Sequence, residues 1–153
     1  MEILKKIEGI GQSLWYDNIE RSKLLDGSLE KMINAGIIKG ITSNPSIFQK
    51  AISTSKDYDL SLKPMAWAGM DKEEIFWQLA IQDIRSAADL FLPLYTASDG
   101  LDGYVSLEVN PQFANDSEAT FSDEEVRAVL MLVWAIALSA VYKSPESEQG
   151  ESG

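Results

Sequence analysis

A chain of 153 residues with 45% hydrophobic and 24% charged residues has the make-up of one globular domain, which excludes collagen-like, low-complexity and wholly disordered classes. It contains neither cysteine nor histidine, so disulfides, thiolate metal sites, serine–histidine triads and imidazole acid–base chemistry are excluded, and any chemistry falls to carboxylates, hydroxyls, amides or lysine. With 13 basic against 24 acidic residues the net charge is −11, which argues against nucleic acid or an anionic membrane surface as partners, while small anionic substrates stay open because a local site can oppose the global sign.

Residues 1–11 form a short amphipathic segment ending in Gly9 and Gly11. Its apolar residues are interrupted by Glu2 and Glu8, unlike a secretory signal. A strand is expected within Gln12–Ile19, where aromatic and β-branched residues crowd. Polar residues 20–28 lead into a short helix over 29–35, with Leu29, Met32 and Ile33 on one face and Gly36 as its stop. Ile37 to Pro45 reads as a second strand, with Ser46 placed to cap a helix over 47–52. Residues 53–70 read as a polar connection. A long helix is expected from Lys72 to Leu92, opened by Asp71 and Glu74 as a capping box. Phe76, Ala80, Ile84, Ala87, Ala88 and Phe91 form its stripe, and Pro93 with Ser98–Gly100 closes it.

Gly103 to Pro111 is a third strand, followed by a polar loop over 112–121. Ser122 and Glu125 open a Leu/Ala-rich helix reaching about Tyr142. Its uncharged core, Ala128 to Tyr142, falls short of the roughly 20 residues that span a bilayer. No membrane span is expected, and a cytoplasmic location follows. The last ten residues, SPESEQGESG, read as a solvated acidic tail. The domain reading is therefore 1–121 as an α/β unit, 122–143 as an apolar helix and 144–153 as a disordered tail.

Strands alternating with helices imply a parallel sheet. Asp17, Asn44 and Glu108 stand at or near the carboxyl ends of the three strands, where parallel β/α folds build their sites. Each also has a structural reading: Asp17 as a helix cap, Asn44 before Pro45 as turn chemistry, Glu108 as a solvated or lysine-paired side chain. Glu108 stands out because Leu107 and Val109 flank it. A buried carboxylate there needs a partner or a raised pKa, which is also how an acid–base group is made.

Gly40-Ile41-Thr42-Ser43-Asn44-Pro45-Ser46-Ile47-Phe48 resembles the first transaldolase signature at every position. Leu14–Ile19 is similar to the first barrel strand of one branch of that family, Ala80–Arg85 to the helix between strands two and three, and Tyr104–Pro111 to the third strand. The resemblance runs from about Gln12 to Thr120. It implies an α/β fold, the first three βα units, or four, of a (β/α) TIM barrel of the class I aldolase type. A full barrel of this kind takes about 250 residues. It also implies dihydroxyacetone transfer between sugar phosphates, a ketose donor and an aldose acceptor, through a lysine Schiff base in the non-oxidative pentose phosphate pathway. By the same resemblance Asp17 takes the hydroxyl proton during carbon–carbon cleavage. Glu108 acts with a water in forming and hydrolysing the imine. Asn44 orients substrate hydroxyls and Thr42 lines the pocket. No metal and no organic cofactor is implied.

After Thr120 the similarity decays, and the strand that carries the family's nucleophile is not recognisable. Tyr142-Lys143-Ser144-Pro145 echoes its surroundings faintly, and Lys143 reads better as a cation at a helix carboxyl end. The chain is therefore expected to be a cut-short, inactive transaldolase, with self-association through exposed sheet edges left open. A non-catalytic interaction module built on a partial barrel is the alternative, and an aldolase using Lys143 is the third reading.

Overall fold

A computed structural model of the chain describes residues 2–107. In chain order they form α1 (Glu2–Gly9), β1 (Trp15–Asp17), α2 (Arg21–Leu25), α3 (Ser28–Asn34), β2 (Gly40–Ser43), α4 (Pro45–Thr54), a 3₁₀ turn (Lys56–Tyr58), α5 (Asp59–Trp67), α6 (Lys72–Ala97) and β3 (Tyr104–Leu107). The helix expected over 122–143, the tail over 144–153, Glu108 and Lys143 lie outside the described residues.

The three strands make one parallel sheet in the order β1-β2-β3. This is the arrangement of successive βα units, and the expected parallel sheet is present. The register puts Trp15, Gly40 and Tyr104 in one row, then Tyr16, Ile41 and Val105, then Asp17, Thr42 and Ser106. Side chains alternate across a strand, so the rows divide between two faces. Ile41 is buried in the main core, against which Tyr16, Val105 and Leu107 pack. That core is closed by Ile19, Leu29 and Ile33, by Phe48 of α4, and by Ala80, Ile84, Ala87 and Phe91 of α6. The first and third rows carry the opposite, open face.

The first row depends on a glycine. The Trp15 and Tyr104 rings lie 6.4 Å apart and within 7° of parallel, and they reach each other across Gly40. A Cβ at Gly40 would stand 2.6 Å from Cδ2 and Cε2 of Trp15. Glycine in mid-sheet here marks close approach by a side chain rather than a bend. Gly103 has a similar role before β3: its φ is +90°, and a Cβ there would meet the Tyr95 backbone nitrogen at 2.6 Å.

Several local expectations are corrected. Residues 20–28 hold α2, not a connection. Residues 53–70 hold the 3₁₀ turn and α5, with Pro64 inside the helix. The apolar residues there are too irregularly spaced to make a helical stripe, yet Tyr58, Leu62 and Met65 pack with Leu79 and Ala51 in a second core cluster. The long helix runs to Ala97, five residues past the expected end, and Pro93 lies within it. Proline removes one ladder bond. Packing beyond it carries the helix on, with Leu94 against the core and Tyr95 edge-on to Tyr104 at 5.5 Å. The second strand is shorter than expected, Gly40–Ser43, because Asn44 already caps α4. Asp71 caps α6 as expected, accepting from the Glu73 and Glu74 amides. No helix among the described residues is long and apolar enough to cross a membrane.

The Gly40→Ala variant is expected to lose about 1–3 kcal/mol, the usual cost of overpacking. A lowered urea midpoint with reduced near-ultraviolet dichroism from the Trp15–Tyr104 pair is the measurement that checks it.

Candidate functional site

The third row of the open face is polar throughout, Asp17, Thr42 and Ser106, and it ends the strands at their carboxyl side. Thr42 Oγ1 donates to Asp17 Oδ1 at 2.7 Å, joining the two strands through side chains. Asp17 is solvent-exposed and Thr42 half-buried, and Oδ2 of the carboxylate has no hydrogen-bond partner among the described residues. Ser106 was not singled out from sequence. The signal was there in alternation, since Ser106 shares its parity with Tyr104 and Glu108. Ser43, of opposite parity to Thr42, is buried and donates to the Ser106 carbonyl at 3.0 Å, which fixes the β2–β3 pairing at this end.

Asn44 serves both readings offered for it. Its backbone is extended and its Oδ1 accepts from the Ile47 amide at 3.0 Å, capping α4 with Pro45 in the first turn. The Ser46 hydroxyl donates to the same oxygen at 2.6 Å, so Ser46 supports the cap instead of being it, as had been expected. Two donors on Oδ1 fix which way the amide points. Nδ2 makes no hydrogen bond among the described residues and is free to donate to a hydroxyl or carbonyl. Asp17 and Asn44 thus lie at the same end of the sheet, with Thr42 between them in the chain and bonded to one. Glu108 follows β3 directly and lies outside the described residues.

Beside this row an open cleft of about 470 Å³ separates the β1–α2 connection from α4. Asp17, Asn18, Lys50 and Thr54 line it, together with the buried Arg21 and Tyr58. Asn18 Nδ2 donates to Glu20 at 2.8 Å, and that bond, with the charges of Lys23 and Lys50, holds the Glu20 carboxyl below its ordinary value.

Under the cleft lies a buried polar group that the sequence reading passed over. Asp83 is 2% exposed and Arg21 9%. Arg21 Nε donates to Asp83 Oδ1 at 2.7 Å, and the Tyr58 hydroxyl donates to Asp83 Oδ2 at 2.7 Å. Three more bonds, one from Nη1 and two from Nη2, reach Ser61, the Leu79 carbonyl and Gln82. The Tyr58 ring stacks under the guanidinium with Cζ 4.3 Å from its centroid. Burial pushes the Asp83 carboxyl up, while the bonds from Tyr58 and Arg21 and the guanidinium charge pull it down. Burial first, and the hydrogen bond to Asp83 next, raise the Tyr58 phenol well above its ordinary value, so it stays a donor. The available signal was Asp83 inside the apolar stripe of α6, a charge on a buried face that demands a partner.

Comparison with known proteins bears on the family to which the chain belongs. The family model described as transaldolase/fructose-6-phosphate aldolase matches residues 14–125. The chain is 45% identical over 120 residues to a transaldolase of Trichodesmium erythraeum, a match covering 78% of this chain and 32% of the relative. It is 47% identical over 133 residues to a transaldolase of Thiobacillus denitrificans, covering 87% and 36%. It is 35% identical over 150 residues to transaldolase 2 of Streptomyces coelicolor, covering 97% and 39%. This last match extends past Thr120. The chain spans about a third of the length of the curated relatives it matches.

Two substitutions separate the roles of Asn44. Asn44→Ala is expected to lower stability by about 1 kcal/mol through loss of the cap. Asn44→Asp keeps the accepting oxygen and should stay within about 0.5 kcal/mol of the parent, while removing the Nδ2 donor. Urea unfolding of both variants is the check. The chain belongs to the transaldolase/fructose-6-phosphate aldolase family.

Proposed function

We propose that this member of the transaldolase/fructose-6-phosphate aldolase family carries the amino-terminal part of a transaldolase-type site, built to hold the hydroxyls of a ketose phosphate and move one of their protons. The observation that carries the reading is the Thr42–Asp17 hydrogen bond at the carboxyl end of adjacent parallel strands, with the Asn44 amide at the end of β2. Asp17 acts as the base that takes the hydroxyl proton as the carbon–carbon bond breaks. Thr42 satisfies one carboxylate oxygen and leaves the other aimed by default at substrate. Asn44 Nδ2 donates to a substrate oxygen. Glu108 works with a water in making and hydrolysing an imine.

The reaction needs an amine to form that imine, and no lysine lies on β1, β2 or β3. We read the described βα units as a binding half-site without turnover of their own, acting in the cytoplasm on substrates of the non-oxidative pentose phosphate pathway, a ketose donor and an aldose acceptor. A second reading, a non-catalytic interaction module associating through its sheet, is favoured by the open face: Trp15 and Tyr104 are 42% and 44% exposed there.

Titration of the ¹⁵N-labelled chain with fructose 6-phosphate is expected to shift the amides of Asp17, Thr42 and Asn44, and Asp17→Asn to abolish the shifts. Shifts confined to other regions would remove the site reading. A coupled transfer assay with borohydride trapping is expected to give neither turnover nor a covalent adduct. A robust rate abolished by Lys143→Ala would overturn the inactive reading and make Lys143 the nucleophile. Light scattering at increasing concentration separates the two readings: a monomer throughout would remove the association module.

A further inference from the structure

We propose that Arg21 is the positioning residue for Asp17: the buried knot of Arg21, Asp83 and Tyr58 holds the carboxyl end of β1 where Thr42 can bond it. β1 is only three residues long and is an edge strand among the described residues, paired on one side alone. Such a strand does not fix its last side chain by its ladder alone. Asp17 is followed by a short connection, Asn18 to Glu20, and then by Arg21 at the start of α2. The connection is stitched to itself: Asn18 Nδ2 donates to Glu20 at 2.8 Å and to the Tyr16 hydroxyl at 3.3 Å. Among the described residues it is held to the rest of the fold by Ile19 in the core and, one residue on, by the Arg21 fork.

The fork reaches three separate elements. Nε and Nη2 hold α6 through Asp83, the Leu79 carbonyl and Gln82; Nη1 holds Ser61 of α5; the guanidinium face lies on Tyr58 of the 3₁₀ turn. A planar fork with several fixed donors sets an orientation that a lysine ammonium cannot reproduce. Tyr58, which the guanidinium covers, also stands in the far wall of the cleft that Asp17 lines, with Ile47, Lys50, Ala51 and Thr54 of α4. One side chain thus sets both the carboxylate and the wall facing it.

The inference deepens the site reading, because it explains what aims the proposed base. It is tested without substrate, so its failure and the failure of that reading are separable. The test is a double-mutant cycle on stability, using Asp17→Ala, Thr42→Val and the pair. In the parent chain the two residues should couple by about fivefold or more in the unfolding equilibrium constant, on the usual scale for directly bonded pairs. In an Arg21→Lys background the coupling should fall below about twofold. Should Arg21→Lys fail to fold, Tyr58→Phe, which removes only the hydroxyl on Asp83, serves as the background and should at least halve the coupling. A purely structural Arg21 lowers overall stability and leaves the coupling unchanged. Unchanged coupling in a folded Arg21→Lys chain, or in Tyr58→Phe, overturns the proposal and leaves Ile19 and the β1–β2 ladder as sufficient to hold Asp17.

Discussion

A guanidinium buried between helices is costly unless each of its nitrogens finds a partner. Arg21 meets that demand with Asp83, Gln82, Ser61, a backbone carbonyl and the Tyr58 ring. The elements that satisfy it are distant in sequence, so the demand brings α2, α6 and the arm between α4 and α6 to one point. The two hydrophobic clusters meet there as well: Tyr58 and Leu79 belong to the smaller, while Ile19, two residues before Arg21, belongs to the larger. Replacing such a group with well-packed apolar residues can be neutral, whereas removing one partner is costly. The knot is therefore better understood as a device of specificity than as a source of net stability. Apolar burial by α6 and the sheet drives collapse, and the knot selects the one arrangement in which no charge is stranded.

The sheet separates duties by row. The row facing the helices is apolar and holds the layers together. Of the two rows on the open face, the aromatic one lies at the amino end of the strands and the polar one at the carboxyl end. Gly40 lets two aromatic rings close over the middle strand, and the short side chains of Thr42 and Ser106 leave the Asp17 carboxylate reachable. Asn44 shows how one residue meets a structural and a chemical need. Its oxygen is spent on the helix, and that bond is what presents its amide protons outward.

Legibility differed from residue to residue. The long α6 helix was readable because six apolar positions fall on a 3.6-residue period with a capping aspartate before them. Asp17 and Asn44 were readable as site candidates because a strand pattern followed by a helix signal marks the carboxyl end in any parallel fold, whereas Thr42 came only with the family resemblance. α5 was not readable: its apolar residues lack a single face, and Pro64 resembles a stop, yet it is held by contacts with Leu79 from a distant helix. The extension of α6 past Pro93 has the same cause, since Leu94 and Tyr95 are fixed by the core and by Tyr104. Asp83 carries a local signal, a charge within the apolar stripe of α6, but its partner does not: nothing local distinguishes a buried Arg21 from a solvated one.

By itself, the sequence determined the class of the fold, the parallel sheet and the polar groups at its carboxyl end. Those follow from alternation, helical period and cap chemistry, which act over a few residues. The register that joins Thr42 to Asp17, the aromatic closure over Gly40 and the pairing of Arg21 with Asp83 were decided only by the tertiary structure. Each joins residues far apart in the chain. Such a contact is selected by the free energy of the whole packed arrangement, in which leaving a buried charge unpaired is costly, and not by any preference of the residues that make it.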